Sequence, residues 1–420
     1  MKTKAIRLYG KQDLRLEEFE LPDICEDEIL VHIISDSICM STYKAAIQGE
    51  DHKRVPDNVA DNPVIVGHEF CGEIVEVGAK WQDKFKPGQR FSIQPNLNYK
   101  GRLDAPGYSY PHLGGSATYG ILPNEVMEQG CLLEYNNDTY FYGSIAEPMS
   151  CIVGTYHAMY HTTAGVYVHD MGIKEGGNMA ILAGVGPMGI GAIDYAIHCD
   201  RKPGLLVVTD IDDARLKRAA SIYTVEEAAK NGVKLIYVNT GAVENPDQYM
   251  MDLTGGKGYD DVMVFAPVKP VVEMGDRILG RDGCLNFFAG PSKSDFSATM
   301  NFYNVHYSST HVVGTSGGNT EDMIESLKMM SEGTINPSSM ITHIGGLNCT
   351  IDTVLNLPSI PGGKKLVYTN IDLPLTAISD FREKGTSSPL FQELADICDR
   401  HNGLWNGEAE AYLLSHAKPI

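Results

Sequence analysis

Short apolar bursts separated by Gly-, Pro- and Asn-rich breaks run the length of the chain, and their spacing changes twice. Over the first 150 residues the bursts are strand-like, at 29–34, 64–66, 73–77 and 90–94. They predict an irregular β-rich region. The stretch 96–115 is rich in Gly, Pro, Tyr and Asn and reads as a long loop, and such loops in compact domains are commonly functional. After Glu147-Pro148 the texture changes. A helix is predicted over 149–161, then strands at 178–183, Leu205–Asp210, Lys234–Asn239, 261–265 and 284–288, with helical stretches such as 190–198 and 214–223 between them. This alternation predicts βαβ units on a parallel sheet, placed at 152–304. From 305 the alternation fades, leaving a helix at Thr320–Ser331 and a strand at 364–369. Residues 371–420 are predicted as a helical extension, with helices at 377–381 and 390–400. Trp405 lies there, so the extension is expected to pack rather than float.

At 420 residues with 43% hydrophobic content, the chain is too long for one core and too apolar for disorder. Its 34 Lys and Arg against 54 Asp and Glu give a net charge of −20, which disfavours nucleic acid and anionic membranes as partners. An anionic substrate would need a local cluster of donors. No run approaches the roughly 18 to 20 apolar residues of a membrane span, and the first residues carry no signal-peptide pattern. Nine scattered cysteines with no Cys-x-x-Cys suit a reducing compartment, so a cytoplasmic location is expected.

The sharpest motif is Gly184-Val185-Gly186-Pro187-Met188-Gly189, set between a strand-like and a helix-like run. In a dinucleotide turn the first glycine bends the chain, the second admits the pyrophosphate, and the third packs helix against strand. Asp210 ends the next strand roughly 20 residues on, where an acid meets the ribose 2′-hydroxyl. It favours NAD(H) over NADP(H), while Arg215 and Lys217 leave the phosphorylated form open. Three weaker signals are Gly67-His68-Glu69, Cys39 within Ile38-Cys39-Met40-Ser41-Thr42, and Glu147-Pro148. Alone, each has an ordinary reading: a solvated turn, a buried apolar sulfur, a helix start. Together a thiolate, an imidazole and a carboxylate form a three-ligand set for catalytic zinc with an open fourth position. Spacing does not show that the three converge.

In order along the chain, Cys-x-Ser, Gly-His-Glu-x-x-Gly, Gly114-Gly115-Ser116-Ala117-Thr118-Tyr119, Glu-Pro and the dinucleotide fingerprint resemble the medium-chain zinc-dependent alcohol and polyol dehydrogenases. The resemblance spans about 1–370 and is nearest the L-sorbose-1-phosphate reductases. It implies an α/β chain in which a GroES-like catalytic domain (1–151 and 305–370) is interrupted by a Rossmann domain (152–304), with the substrate site in the cleft between them. It also implies Cys39, His68 and Glu147 as zinc ligands, Glu69 as an exchangeable neighbour and Ser41 as the hydroxyl that passes the substrate proton. Many relatives have Asp at the position of Thr42, so one contact behind the ligands is expected to be missing. With no cysteine between Cys71 and Cys131, no structural zinc is expected. His157 and His161, at i and i+4, form a rival metal pair, better read as a surface or interface helix.

The implied reaction is reversible hydride transfer between NAD(P)(H) and a sugar phosphate or polyol, such as reduction of a ketose 1-phosphate to a hexitol phosphate. The alternatives are an unphosphorylated polyol, diol or L-threonine as substrate, or a non-catalytic NAD-binding protein. For a phosphate, Lys44, Lys100, Arg102 and His112 are the candidate donors, and Tyr108, Tyr110 and Tyr119 could meet sugar hydroxyls. By analogy with relatives, a homodimer or homotetramer is expected.

Overall fold

A computed structural model describes all 420 residues. The chain divides into two compact units. One comprises Met1–Glu147, Ser326–Ser331 and Pro337–Ile420, and the other Pro148–Glu325 and Glu332–Asn336.

The first unit is built on the strand Ile29–Ile38, nine of whose ten residues are buried. It has neighbours along both edges, and its polar residues His32, Ser35, Asp36 and Ser37 lie among six apolar ones. It pairs antiparallel with Phe70–Val77, with Tyr119–Leu122 and with Lys364–Tyr368. The sheet continues from Phe70–Val77 through Arg90–Ile93 to Leu132–Glu134 and from Lys364–Tyr368 through Ile341–Gly346 to Thr376–Ala377. A smaller sheet joins Asp13–Glu20, Lys2–Gly10 and Val64–Ile65. The core between these layers includes Ile29, Val31, Ile33, Ile65, Phe70, Phe91 and Leu113.

The second unit carries six parallel strands in the order Lys234–Asn239, Leu205–Asp210, Asn178–Leu182, Tyr259–Val264, Leu279–Phe287, His311–Gly314. The order reverses direction at Asn178–Leu182, as in a doubly wound dinucleotide-binding sheet. No helix of either unit is long and apolar enough to cross a membrane.

Two expectations differ from the structure. The parallel sheet does not end at 304, because His311–Gly314 adds its edge strand and the unit runs on to Glu325. The helix placed at 149–161 runs from Phe141 to Ala158. His161 therefore lies in the strand Tyr160–Thr163, bonded to Asp261 at 3.1 Å, while His157 bonds Asp322 at 2.8 Å, so the two share no helical face. Residues 371–420 are helical and packed, as expected, and belong to the first unit.

Glu410 shows what that last segment does. Its buried carboxylate accepts from the backbone N–H groups of Tyr140 at 2.6 Å and Phe141 at 2.9 Å, and from the Tyr368 hydroxyl at 2.6 Å. The tail thus supplies an acceptor and a negative charge to the N-terminus of the helix Phe141–Ala158. Trp405, fully buried, donates to the same Tyr368 oxygen at 2.8 Å.

Burial lifts the Glu410 carboxyl from 4.5 to about 7, against the donors that lower it. Between those values the folded chain holds a proton that the unfolded chain has released, so this group's contribution to stability is full below pH 4.5 and falls as pH rises to 7. Glu410→Gln should flatten that part of the stability-versus-pH curve. Glu410→Ala, which strands three donors, should cost about 1–3 kcal/mol in denaturant unfolding.

Candidate active site

The first unit brings together side chains from four separate segments. The strand Ile29–Ile38 ends at Cys39, which caps the helix Met40–Gln48 with extended backbone and no side-chain capping bond. The sulfur is therefore not spent on the helix, and it donates to the Ser41 hydroxyl at 3.6 Å. The second segment is Gly67-His68-Glu69. Gly67 has φ +91°, and a Cβ there would lie 2.2 Å from Asp36 Oδ2 and 2.7 Å from the Ser116 nitrogen. Gly115 is constrained alike, since its Cβ would meet Asp36 Oδ1 at 2.4 Å, and its N–H donates to the Gly67 carbonyl at 2.6 Å. The two glycine motifs are thus halves of one close packing around Asp36, which sets the backbone from which His68 projects.

The ligand atoms of Cys39, His68 and Glu69 all lie within 4.8 Å of one another. His68 and Glu69 are buried and Cys39 is half-buried. The Lys364 ammonium, also buried, donates to both Glu69 oxygens at 2.6 Å. Glu147, on the helix Phe141–Ala158, is not in that trio, but its charge acts on Cys39, Lys364 and Tyr108. Thr42, expected to leave a contact missing, lies 3.3 Å from His68 Nδ1 through its hydroxyl and so orients the ring. Tyr108, from the 96–115 loop, approaches His68 Nε2 at 3.3 Å.

Burial pushes the Cys39 thiol up to about 12, with Glu69 adding to the rise and Lys364 opposing it. Burial also lowers His68 to about 4, so the imidazole is neutral near pH 7. Lys364 is held above its ordinary value by Glu69, Cys39 and Glu147, which outweigh the cost of burying it. This donor set fits zinc. It offers a sulfur, a neutral imidazole and a carboxylate, and a thiol that burial keeps protonated ionises readily only beside a cation.

The remaining candidates divide. Lys44 acts through its charge on His52, which stacks on Tyr108 at 5.5 Å. Lys100 is exposed over the Tyr99 ring at 4.6 Å, Arg102 pairs with Asp104 at 3.3 Å and Glu125 at 3.8 Å, and half-buried His112 has Arg7 and Glu28 as its charged neighbours. None of the partners of Lys100, Arg102 and His112 belongs to the Cys39 group. Tyr110 bonds Glu125 and Tyr119 stacks on His32. Sequence reasoning missed Lys364 as well as His52 and Arg54. The one signal for Lys364 was a pair of lysines inside an otherwise apolar strand.

In the second unit the dinucleotide turn has the expected division of labour. A Cβ on Gly184 would meet the Ile181 side chain at 2.4 Å, and one on Gly189 would meet the Gly184 carbonyl at 2.2 Å. A Cβ on Gly186 would meet nothing within 4 Å. The first and third glycines are thus required by packing, whereas the second borders open space, as it must if a pyrophosphate is to approach. Gly186 caps the helix Pro187–His198, with Pro187 at its first position. Val185 is buried and Met188 half-buried. Asp210 Oδ1 accepts from the N–H groups of Ile211 at 2.8 Å and Asp212 at 3.1 Å, leaving Oδ2 uncommitted. Arg215 is exposed, 3.8 Å from Asp212.

Family models for an alcohol dehydrogenase GroES-like domain and a zinc-binding dehydrogenase match residues 25–135 and 187–332. The chain belongs to the zinc-dependent medium-chain alcohol and polyol dehydrogenases, oxidoreductases that act on a CH–OH group. It is 54% identical over 412 residues to mannitol-1-phosphate 5-dehydrogenase of Aliivibrio fischeri, covering 98% of this chain and 97% of that one. It is 50% identical over 418 residues to L-sorbose 1-phosphate reductase of Klebsiella pneumoniae, covering 100% and 98%. Among solved structures it resembles 2R,3R-butanediol dehydrogenase of Bacillus subtilis, with a TM-score of 0.70 at 19% identity over 88% of this chain and 100% of that one. Zinc and a nicotinamide dinucleotide are the family's cofactors.

The Thr42 contact yields a direct test. Thr42→Val, which keeps the shape and loses the hydroxyl, should weaken zinc binding about 10- to 100-fold in competition with a chelator, while Thr42→Ser retains most of it.

Proposed function

We propose that this chain is a zinc-dependent, NAD(H)-linked reductase of a ketose phosphate, working reversibly on the corresponding hexitol phosphate. Near-complete matches to two enzymes whose names each specify a phosphorylated hexose or hexitol are the observation that carries this reading. In this reading Cys39 and His68 hold a single catalytic zinc. Glu69 and Glu147 share the third ligand position, Lys364 steadying whichever carboxylate is not engaged. Supporting this are the shared reach of the Cys39, His68 and Glu69 donors and the charge of Glu147 felt at Cys39.

When bound, zinc supplies Lewis acidity at the carbinol oxygen, and the nicotinamide gives or takes the hydride. The chain's own work is positioning and proton handling. Thr42 fixes the His68 ring, and the buried Lys364 ammonium holds both oxygens of Glu69. The hydroxyls of Ser41, beside Cys39, and Tyr108, beside His68, form a path along which the substrate hydroxyl's proton moves outward. In the other unit the free edge of Gly186 and the first N–H groups of the helix Pro187–His198 suit the pyrophosphate, and Asp210 Oδ2 suits the ribose 2′-hydroxyl. A carboxylate there repels a 2′-phosphate, hence NAD(H) over NADP(H).

The test is a panel of ketose phosphates, hexitol phosphates and unphosphorylated polyols, each with both nicotinamides, read by absorbance of the reduced cofactor. Turnover of a phosphorylated hexose or hexitol with NAD(H) is expected, and activity confined to unphosphorylated alcohols would refute the reading. Cys39→Ser should lose zinc and at least about 100-fold in kcat. Asp210→Ala should raise the KM for NAD(H) about tenfold.

A further inference from the structure

The chain carries 20 more acidic than basic charges, so an arginine left without a carboxylate is conspicuous. Arg54 is one. It is half-buried and makes no ion pair; its guanidinium donates to the neutral Asn96 Oδ1 at 3.3 Å and lies 5.6 Å from the centre of the Tyr108 ring. That same ring sits 4.9 Å from His68 and stacks on His52 at 5.5 Å with the planes 8° apart. One aromatic side chain thus separates the guanidinium from the proposed zinc ligand.

The charges that act on His52 are positive. His52 is depressed to about 4, first by burial and then by Arg54, Lys53 and Lys44, so it stands as a neutral imidazole among three cations. The loop that carries the arginine is pinned. Ser109 Oγ donates to the Arg54 carbonyl at 2.7 Å, and the Arg54 N–H donates to His52 Nδ1 at 3.3 Å. Both arms of the arrangement, 52–54 and 108–109, are therefore tied to each other and, through Tyr108, to His68. An unneutralised guanidinium beside a neutral imidazole, on a braced loop, is suited to a phosphate dianion. Arginine's planar fork meets phosphate oxygens in pairs, and the imidazole adds a donor without adding charge.

We propose that Arg54, assisted by His52 and the charge of Lys44, is the anchor for the substrate phosphate and the residue that selects phosphorylated over free sugars. The proposal rests on the sugar-phosphate reading above and adds the group that enforces it. In a ketose 1-phosphate the ester sits on the carbon next to the carbonyl. Its phosphate then needs a partner close beside the ligand cluster, as Arg54 is and as Lys100 and Arg102, among Tyr99, Asp104 and Glu125, are not.

The experiment compares kcat/KM for a ketose phosphate with that for the matching free ketose in the zinc-loaded wild type, Arg54→Gln and Arg54→Lys, with inorganic phosphate tested as an inhibitor. The wild type should favour the phosphorylated sugar, and Arg54→Gln should lower that preference about 10- to 100-fold, chiefly through KM. Inorganic phosphate should compete with the sugar phosphate in the wild type and lose potency in Arg54→Gln, while Arg54→Lys recovers part of both. The preference is a ratio within one variant, so partial misfolding lowers both terms alike and cannot imitate the effect. A wild type indifferent to the phosphate overturns the substrate reading and the anchor with it. A wild type that prefers the phosphate, together with an Arg54→Gln variant of unchanged preference, overturns the anchor alone.

Discussion

The bond between Lys364 and Glu69 joins the two long segments of the first unit, Met1–Glu147 and Pro337–Ile420, at one cluster of side chains. Two charged groups, 6% and 1% exposed, meet at 2.6 Å although 295 residues separate them. Such a pair gains little net stability over an apolar substitute, but removing one member strands the other and costs about 3–5 kcal/mol. The pair therefore specifies register more than it adds strength. The strand Lys364–Tyr368 pairs with Ile29–Ile38 so that Lys365 faces Ile38, the residue before Cys39. A one-residue slip would turn Lys364 to the other face of the sheet and leave the Cys39, His68 and Glu69 group without its cation.

That pairing explains which parts of the site could be read from sequence. Gly67, Gly114, Gly115, Gly184 and Gly189 stand where a Cβ would strike backbone or a neighbouring side chain, so steric necessity writes them into a local pattern. Cys39, His68 and Glu147 announce themselves by chemistry within or beside such patterns. The parallel strands were visible as apolar runs because both faces of that sheet are covered. Arg54 and Glu410 have no such mark, Lys364 shows only as one of a lysine pair in an apolar strand, and Tyr108 only as one of three tyrosines open to sugar hydroxyls. Lysines, tyrosines, arginines and glutamates are common on surfaces, and these four gain their roles from topology: strand pairing across the chain, a fold-back of the 96–115 loop, and a tail that returns to a helix start.

The same reasoning accounts for the misplaced boundaries. From sequence the return from the parallel sheet reads as falling at 305 because the alternation of apolar runs weakens there. His311–Gly314 is an edge strand with a half-exposed, alternating pattern rather than a continuous apolar one. Edge strands bury one face or less and so carry the weakest sequence signal. From sequence the helix over Phe141–Ala158 reads as starting late, because Pro148 looks like its first turn. Proline lacks one N–H donor and is poorly tolerated inside a helix, yet here it stands within one.

Pro148 follows directly on Glu147, and its place within the helix bears on that side chain. A proline at this position leaves the carbonyl one turn earlier, that of Ser144, without its helical donor and bends the backbone locally. The Ser144 hydroxyl meets that of Ser35, on the strand that leads to Cys39. The helix is thus secured at its first turn by Glu410 from the tail, and one turn before the proline by Ser35 from the central strand. Glu147 sits between these fixings and a built-in weak point. On the proposed reading, in which Glu147 exchanges with Glu69, its backbone needs to be anchored yet able to yield, and the acid that the tail delivers to the helix start is part of that anchorage.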